Sequence, residues 1–489
     1  MQSIFWPTAS PNRAKRRTER VELFHLDSVA CGLSALAYGT NAPNVLRREA
    51  LDYELPPGSS GRHGTTLFGS RKLVPAEKAV AANSSAVREW DSNGTNFGYD
   101  PERGHTAGEF GHNDFYPVVV AAAQIAGCDG RRTLKAMLLL DEIRGRLAEV
   151  FSLKSYKIDH VVHGAIASAI VYGVMLGANV DQLESAVGLV VAHYIPFRAI
   201  RHGKQLSDSK GASAAISSEA AVLSARRALR GFVGPADIFR NAEAIFCLFE
   251  KPAAKGESPF DLDVGLAGDE FTILGMHFKL GLYEHQSAGA IQGLMELLAA
   301  HPTIVDDEAA IRSLRITIYQ PAFDIIGDPA KRDPQTRQSA DHSMVYIIAT
   351  LLRKAIEQRT SGWKELMLLP DDYDDTALRH PLTRRLMERI DFRHGGHDYD
   401  ARYPDGIPTS LEIEHTTLGR LAGGLVMYPE GHARNRSGNL AELLAHKFGK
   451  LAGPAVDDVA ALRKRFTGLR HKSAEEIRTL YDFQIRGVE

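Results

Sequence analysis

Arg198, Arg201, His202, Lys204 and Lys210 fall within thirteen residues of the chain, and Asp208 is the only acid among them. Ser207, Ser209 and Gly211 then lead into a run rich in Ala and Ser that extends to Leu223. The pattern predicts a cationic loop feeding the N-terminus of a closely packed helix, where main-chain N–H groups and the helix dipole favour anions. A small molecule carrying several carboxylates or phosphates would suit such a place; a solvated basic turn is the plainer alternative. Lys210 is the most informative of the set. At the start of a helix its charge opposes the positive end of the dipole, which is unfavourable unless an anion offsets it. A lysine reaching into water is the competing reading.

Other residue types capable of proton transfer are scattered along the chain. Asp91, Asn93 and Thr95 form D-x-N-x-T directly after a helical pattern, which read alone is a helix-stop turn with an Asx-type bond. The segment 98–114 that follows holds Gly98, Gly104, Gly108 and Gly111 with His105 and His112, a long polar loop of the kind on which sites are built. His160 opens a helix rich in small residues, three positions before His163. Without a third ligand or the glutamate of H-E-x-x-H, that spacing is a weak zinc signal, so a metal-free role is expected for His160. Lys279 sits on an apolar stretch, Tyr319 ends the alternating LRITIY run, and Arg337 and His342 lie on a polar segment before a helix. There is no G-x-x-x-x-G-K-[ST], no G-x-G-x-x-G after a strand and no G-x-S-x-G, which disfavours nucleotide binding and serine hydrolysis. An anion pocket with His, Asp, Tyr and Lys, and no electron or hydride carrier, fits proton abstraction and elimination on a polycarboxylate.

The elements that must position these residues follow from composition and periodicity. The chain has 489 residues, 44% hydrophobic and 24% charged, with net charge -2 and pI near 6.8. That length predicts two or three domains, and the charge balance gives no global basic field for nucleic acid. No apolar run approaches the roughly 20 residues that span a bilayer, so no membrane partner is expected. Cys31, Cys128 and Cys247 are far apart in sequence, poor spacing for disulfides, structural zinc or an iron–sulfur cluster. Arg13, Lys15, Arg16, Arg17 and Arg20 make the first twenty residues basic without the apolar core of a secretory signal, as in a disordered tail or a short organellar presequence.

Helical periodicity is expected at Val21–Tyr38, Ala76–Trp90, Tyr116–Ile125, Thr133–Phe151, Ile158–Leu176, Asp181–Val191 and Gly211–Arg230. No convincing strand appears before about residue 250. After a Pro/Gly/Asp-rich connector from Lys251, strand-like pieces are expected at Phe271–Phe278, Leu314–Tyr319, Ser410–His415 and Gly424–Tyr428, with helices at Ser287–Ala300 and Met344–Arg359. The chain is therefore expected to be mainly α: a helical domain over 1–271, an α+β domain over 272–430, and helices over 431–489 that rejoin the first.

Five longer segments carry a resemblance: HYIPFRAIRHGKQLSDSKGASAAIS, RGFVGPADIFRNAEAIF, MHFKLGLYEHQSAGAIQ, IYQPAFDIIGDPAKRDPQTRQSADHSMVYIIATLLRKA and YPEGHARNRSG. With the surrounding chain from about residue 20 on, they closely resemble the MmgE/PrpD family. The resemblance implies a large helical domain built from both chain ends, a smaller α/β lid inserted between, a crevice between the two, a homodimer, and no metal or iron–sulfur cluster. It implies a hydro-lyase that converts 2-methylcitrate to 2-methyl-cis-aconitate in propionate catabolism, in the cytoplasm or, for a eukaryotic source, the mitochondrial matrix. Related activities are decarboxylation of cis-aconitate and hydration or dehydration of citrate and aconitate, and a non-catalytic tricarboxylate-binding protein is the alternative of another class. Matched position by position, Asp91, His112, His160, Lys210 and Tyr319 fall on catalytic positions of the family, with His112 chosen over His105 for its spacing to the next helix. Thr95 and Lys279 match further site positions of the family and would bind substrate, and Arg201 and Arg337 are cations expected to clamp its carboxylates beside them.

Overall fold

A computed structural model describes residues 11–59, 64–94, 113–201, 205–265, 271–326 and 331–488. The chain is mainly helical and divides into two compact units. One comprises Met1–Ile200, Gly211–Met276 and Leu451–Glu489, and the other Arg201–Lys210 and His277–Lys450.

The first unit is built from helices α1 (Pro11–Ala37), α2 (Asn41–Asp52), α3 (Ala76–Glu89), α4 (Tyr116–Ala126), α5 (Gly130–Val150), α6 (Val161–Met175), α7 (Val180–His193) and α8 (Ser209–Leu229). Its core helix is α6, buried along nearly its whole length. Small residues allow this, because neighbours approach until no side chain fits: a Cβ on Gly164 would lie 2.1 Å from the Phe115 ring. α5 and α7 flank α6, and α3 packs on α1, α2 and α4. Residues 451–489 complete the same unit. Glu22 of α1 accepts the Gly468 and Leu469 N–H groups at 2.7 and 3.1 Å, the Gly130 N–H donates to the Lys472 carbonyl at 2.9 Å, and the Phe68 ring packs on Tyr481.

Two expectations for this unit are corrected. The basic N-terminal stretch is not a tail from residue 11 on: it belongs to α1, and two of its cations, Arg17 and Arg20, are used in packing. Arg17 is buried with its guanidinium 4.3 Å from the Phe271 ring centroid, and Arg20 donates to the Met276 carbonyl. A short antiparallel pair, β1 (Thr65–Thr66) and β2 (Leu73–Val74), also interrupts the helices. Two residues are too few to show a period. α2 lies in a segment where no helix is expected from the sequence; it buries Ala42, Pro43, Arg47 and Ala50, with Leu46 and Leu51 packed partly buried beside them.

The second unit carries a four-stranded sheet in the order β4 (Ile390–His394), β3 (Ile311–Ile318), β5 (Thr409–His415), β6 (Gly419–Ala422). β3 pairs parallel with β4 and antiparallel with β5, setting Leu314 opposite both Ile390 and Ile413. Leu314, Ile316 and Ile318 are buried at the period of two expected of a one-sided strand, and a register shift between Ile311 and Ser313 brings Ile311 to the same buried face. Helices Ala288–Ala300 and Met344–Gln358 bury apolar faces in this unit. Phe271–Phe278 is not a strand: Thr272–Gly275 is a 3-10 turn. Gly424–Tyr428 is not one either; the strand after β5 is β6, and Val426 makes only an isolated bridge to Thr409. Its apolar string packs as a loop, whereas the more polar β6 is an edge with one neighbour.

Candidate active site

In the first unit, Asp91 follows the end of α3 and is 2% exposed. Arg88, one turn earlier, places Nη1 3.3 Å from Asp91 Oδ1 and Nε 3.6 Å from Asp114 Oδ2, so one buried guanidinium serves two buried carboxylates. Such ions are tolerable inside a protein only with partners. Asn93 donates from Nδ2 to the Val87 carbonyl at 3.4 Å, so part of the D-x-N pattern does cap the helix end, as the local reading expects. His160 stands at the start of α6, buried, with its Nδ1 3.7 Å from Asp159. His163 one turn on is driven by burial down to about 3, and is neutral at ordinary pH. Thr95, His105 and His112 lie outside the described residues, as do His202 and Lys204 of the basic loop.

In the second unit, residues 205–210 are strapped to the segment 331–342. The Leu206 N–H donates to Ser339 Oγ at 3.0 Å, Gln335 N–H to Gln205 Oε1 at 3.1 Å, and Gln338 Nε2 to Asp208 at 3.5 Å. At the end of this strap Lys210, 2% exposed, donates to Asp341 Oδ1 at 2.6 Å and to the Gln338 carbonyl at 3.4 Å. The anion that a lysine at this helix start requires is thus supplied by the chain itself. Arg337 brings Nη1 to 3.5 Å of Asp341 Oδ2, and His342 Nδ1 lies 2.6 Å from Asp341 Oδ1. The structure therefore brings two of the expected residues, Lys210 and Arg337, onto one buried carboxylate. Arg201 lies half-buried in a 3-10 turn.

Tyr319 and Lys279 occupy the same unit. Tyr319 directly follows β3, is 1% exposed, and stacks on Tyr403 with ring centroids 4.3 Å apart. Its hydroxyl is buried with no hydrogen-bond partner among the described residues. Burial first, then the fields of Tyr403 and Glu284, raise its pKa well above the ordinary phenol range, so it stays a proton donor. Glu284 connects this tyrosine to the cluster, because its N–H donates to the Asp341 carbonyl at 2.7 Å. Lys279 is buried, and its own carbonyl accepts from the buried Lys447 at 2.8 Å. Nearby, His277 stacks on His432 at 3.8 Å and accepts the Ala433 N–H on Nδ1 at 2.9 Å.

Sequence reasoning did not reach Arg88, Asp114, Asp341 or Glu284. The one sequence signal for Arg88 is its place three residues before Asp91, at the end of the same helical pattern. Nothing local marks Asp341 as the partner of a lysine 131 positions away. Cys31, Cys128 and Cys247 are free thiols, the first two buried and the third half-buried.

Two family models match this chain: the MmgE/PrpD N-terminal domain over residues 9–255 and the MmgE/PrpD C-terminal domain over residues 283–469. The chain belongs to the MmgE/PrpD family. It is 26% identical over 434 residues to 2-methylcitrate dehydratase of Escherichia coli (strain K12), covering 86% of this chain and 83% of that protein. It is 25% identical over 464 residues to the probable 2-methylcitrate dehydratase of Saccharomyces cerevisiae, covering 90% and 82%. The mitochondrial 2-methylcitrate dehydratase of Yarrowia lipolytica is 26% identical over 456 residues, covering 88% and 79%.

Proposed function

We propose that this protein is a hydro-lyase that removes water from 2-methylcitrate to give 2-methyl-cis-aconitate. The observation that carries the reading is similarity to 2-methylcitrate dehydratases of bacteria and yeasts along 86–90% of the chain. The reaction breaks a weakly acidic C–H bond beside a carboxylate and expels hydroxide, so charge develops at both ends of the bond that becomes the alkene. A base, an acid and cations around the carboxylates lower that barrier. In this proposal Asp91 and His160 are proton-transfer groups, joined by His112. Tyr319, held as the neutral phenol by its buried setting, protonates the departing hydroxide to water. Lys210, Arg201, Lys279 and Arg337 set the positive field for the tricarboxylate, with Thr95 a hydrogen-bond donor to it.

The proposal extends to a metal-independent mechanism, to residues 272–430 as the lid of the family, and to a homodimer. No described helix is long and apolar enough to cross a membrane. We place the enzyme in the cytoplasm, or in the mitochondrial matrix of a eukaryote. The test is turnover of 2-methylcitrate beside citrate and cis-aconitate, followed by ultraviolet absorbance of the new conjugated double bond and by release of CO2. Dehydration of 2-methylcitrate as the fastest reaction, unchanged in chelator-treated protein, is the expected result. Decarboxylation of cis-aconitate as the dominant activity would overturn the substrate reading, and activity lost with the metal would overturn the metal-independent mechanism.

A further inference from the structure

We propose that Asp341 and His342 form a carboxylate–imidazole dyad in which Asp341 is the positioning residue and His342 is a further proton acceptor of the elimination. The assignment rests on the dehydratase reading above for its reaction, and on the geometry of the second unit for its parts.

The surroundings of Asp341 dictate the arrangement. Its carboxylate is 1% exposed and has Lys210 at 2.6 Å and Arg337 at 3.5 Å. Two cations against one buried carboxylate hold it as the anion, and an ionised carboxylate can only accept hydrogen bonds. The 2.6 Å contact to His342 therefore requires the imidazole to donate from Nδ1, which leaves the lone pair on Nε2. A carboxylate behind an imidazole in this manner fixes ring orientation and tautomer and stabilises the imidazolium once a proton arrives. The backbone is fixed as well. The Asp341 N–H donates to the Arg337 carbonyl at 3.0 Å, its carbonyl accepts from Glu284, and Ser343 caps the next helix by accepting the Tyr346 N–H at 3.3 Å.

Exposure separates the roles within the cluster. The side chains of Lys210 and Asp341 are 3% and 1% exposed, whereas that of His342 is 18% exposed. Lys210 donates to Asp341 inside the protein, and the imidazole is more exposed than either of them. In the step proposed, His342 Nε2 takes the substrate C–H proton. The C–H electron pair becomes the new π bond, the C–O bond breaks, and the departing hydroxide takes the Tyr319 proton and leaves as water. The imidazolium then releases its proton and the tyrosinate regains one, so the enzyme returns unchanged.

The experiment has two readouts. In histidine labelled with nitrogen-15, wild-type protein is expected to show His342 as the Nδ1–H tautomer, with the signal assigned by its loss in H342N. In D341N that signal should revert to the commoner Nε2–H form. An Nε2–H tautomer in the wild type overturns the dyad whether or not 2-methylcitrate is a substrate. In steady-state dehydration, H342A is expected to lose at least a hundredfold in kcat with KM changed less than about threefold, and imidazole in solution should restore part of it, saturably. D341N should lose kcat comparably and gain nothing from imidazole. An H342A variant whose kcat is within threefold of wild type, or one with a lowered melting temperature and no rescue, overturns the proton-acceptor role. A wild-type protein inert toward 2-methylcitrate sinks the dehydratase reading instead, and leaves the tautomer measurement to decide the dyad.

Discussion

Replacing Tyr319 by Phe separates stability from activity in opposite directions. The hydroxyl is buried, and no described residue bonds it. In the unfolded chain water bonds it fully, so folding strips it of partners at a cost of about 1–3 kcal/mol. Phe fills nearly the same volume and keeps the stack on Tyr403, so the substitution removes that cost without opening a cavity. The expected change is a gain of about 1 kcal/mol or more in the urea unfolding of the second unit, with the m-value unchanged. Turnover should move the other way. Loss of the acid that protonates hydroxide removes the roughly hundredfold to ten-thousandfold that a positioned general acid contributes, with KM for 2-methylcitrate nearly unchanged. The two measurements need only denaturation curves and the ultraviolet assay on one variant. A loss of stability above 1 kcal/mol would mean that the hydroxyl has a partner in the folded protein. Undiminished kcat would refute the acid role.

Acid should weaken the fold through two histidines. Burial takes His25 to about 4 and His163 to about 3, so folding favours their neutral forms. The unfolded chain binds their protons below about pH 6.5 and the folded one does not, so stability is full above that value. It falls as pH drops toward about 4, by up to roughly 2.7 kcal/mol per pH unit for the pair. Urea titrations at several pH values would show this, and H163L should remove about half of the slope. Gly164→Ala should cost about 1–3 kcal/mol or more by driving a methyl into the Phe115 ring; a Tm within 1 °C of wild type would show that the ring can yield. Arg88→Met should destabilise by about 3–5 kcal/mol, since Asp91 and Asp114 would lose a shared cation inside the protein. Lowering the pH should partly relieve that variant relative to wild type as the carboxylates protonate, and equal pH profiles would argue against the buried pair.

What could be read from the sequence depended on how local its cause was. The 3.6-residue period of Val21–Tyr38 and of Met344–Arg359, and the alternation in LRITIY, act within one element, and the helices and strand occur there. Phe271–Phe278 misled because a short apolar run suits a buried 3-10 turn as well as a strand. β4 escaped because IDFRH alternates only weakly, and its pairing with Leu314–Ile318 is what makes it a strand. The candidate site divides along the same line. Lys210 was conspicuous because its charge conflicts with the local helix dipole, a conflict visible in a few residues. Its resolution, Asp341, depends on a tertiary contact across 131 positions that no periodicity encodes. Arg88 is a cation in the last turn of α3, unremarkable by position, and its significance comes from its burial.

The threading of the first unit has a consequence for synthesis. Its parts are separated by the 174 residues of 277–450, and Glu22, Gly130 and Phe68 reach partners beyond residue 451. At about 5–20 residues per second, a ribosome needs roughly 9–35 s to make that intervening stretch. For that interval the nascent helices hold apolar faces and main-chain donors whose partners have not yet been made. Production of this protein should therefore respond more to chaperone supply and to translation speed across 277–450 than to the stability of the finished fold.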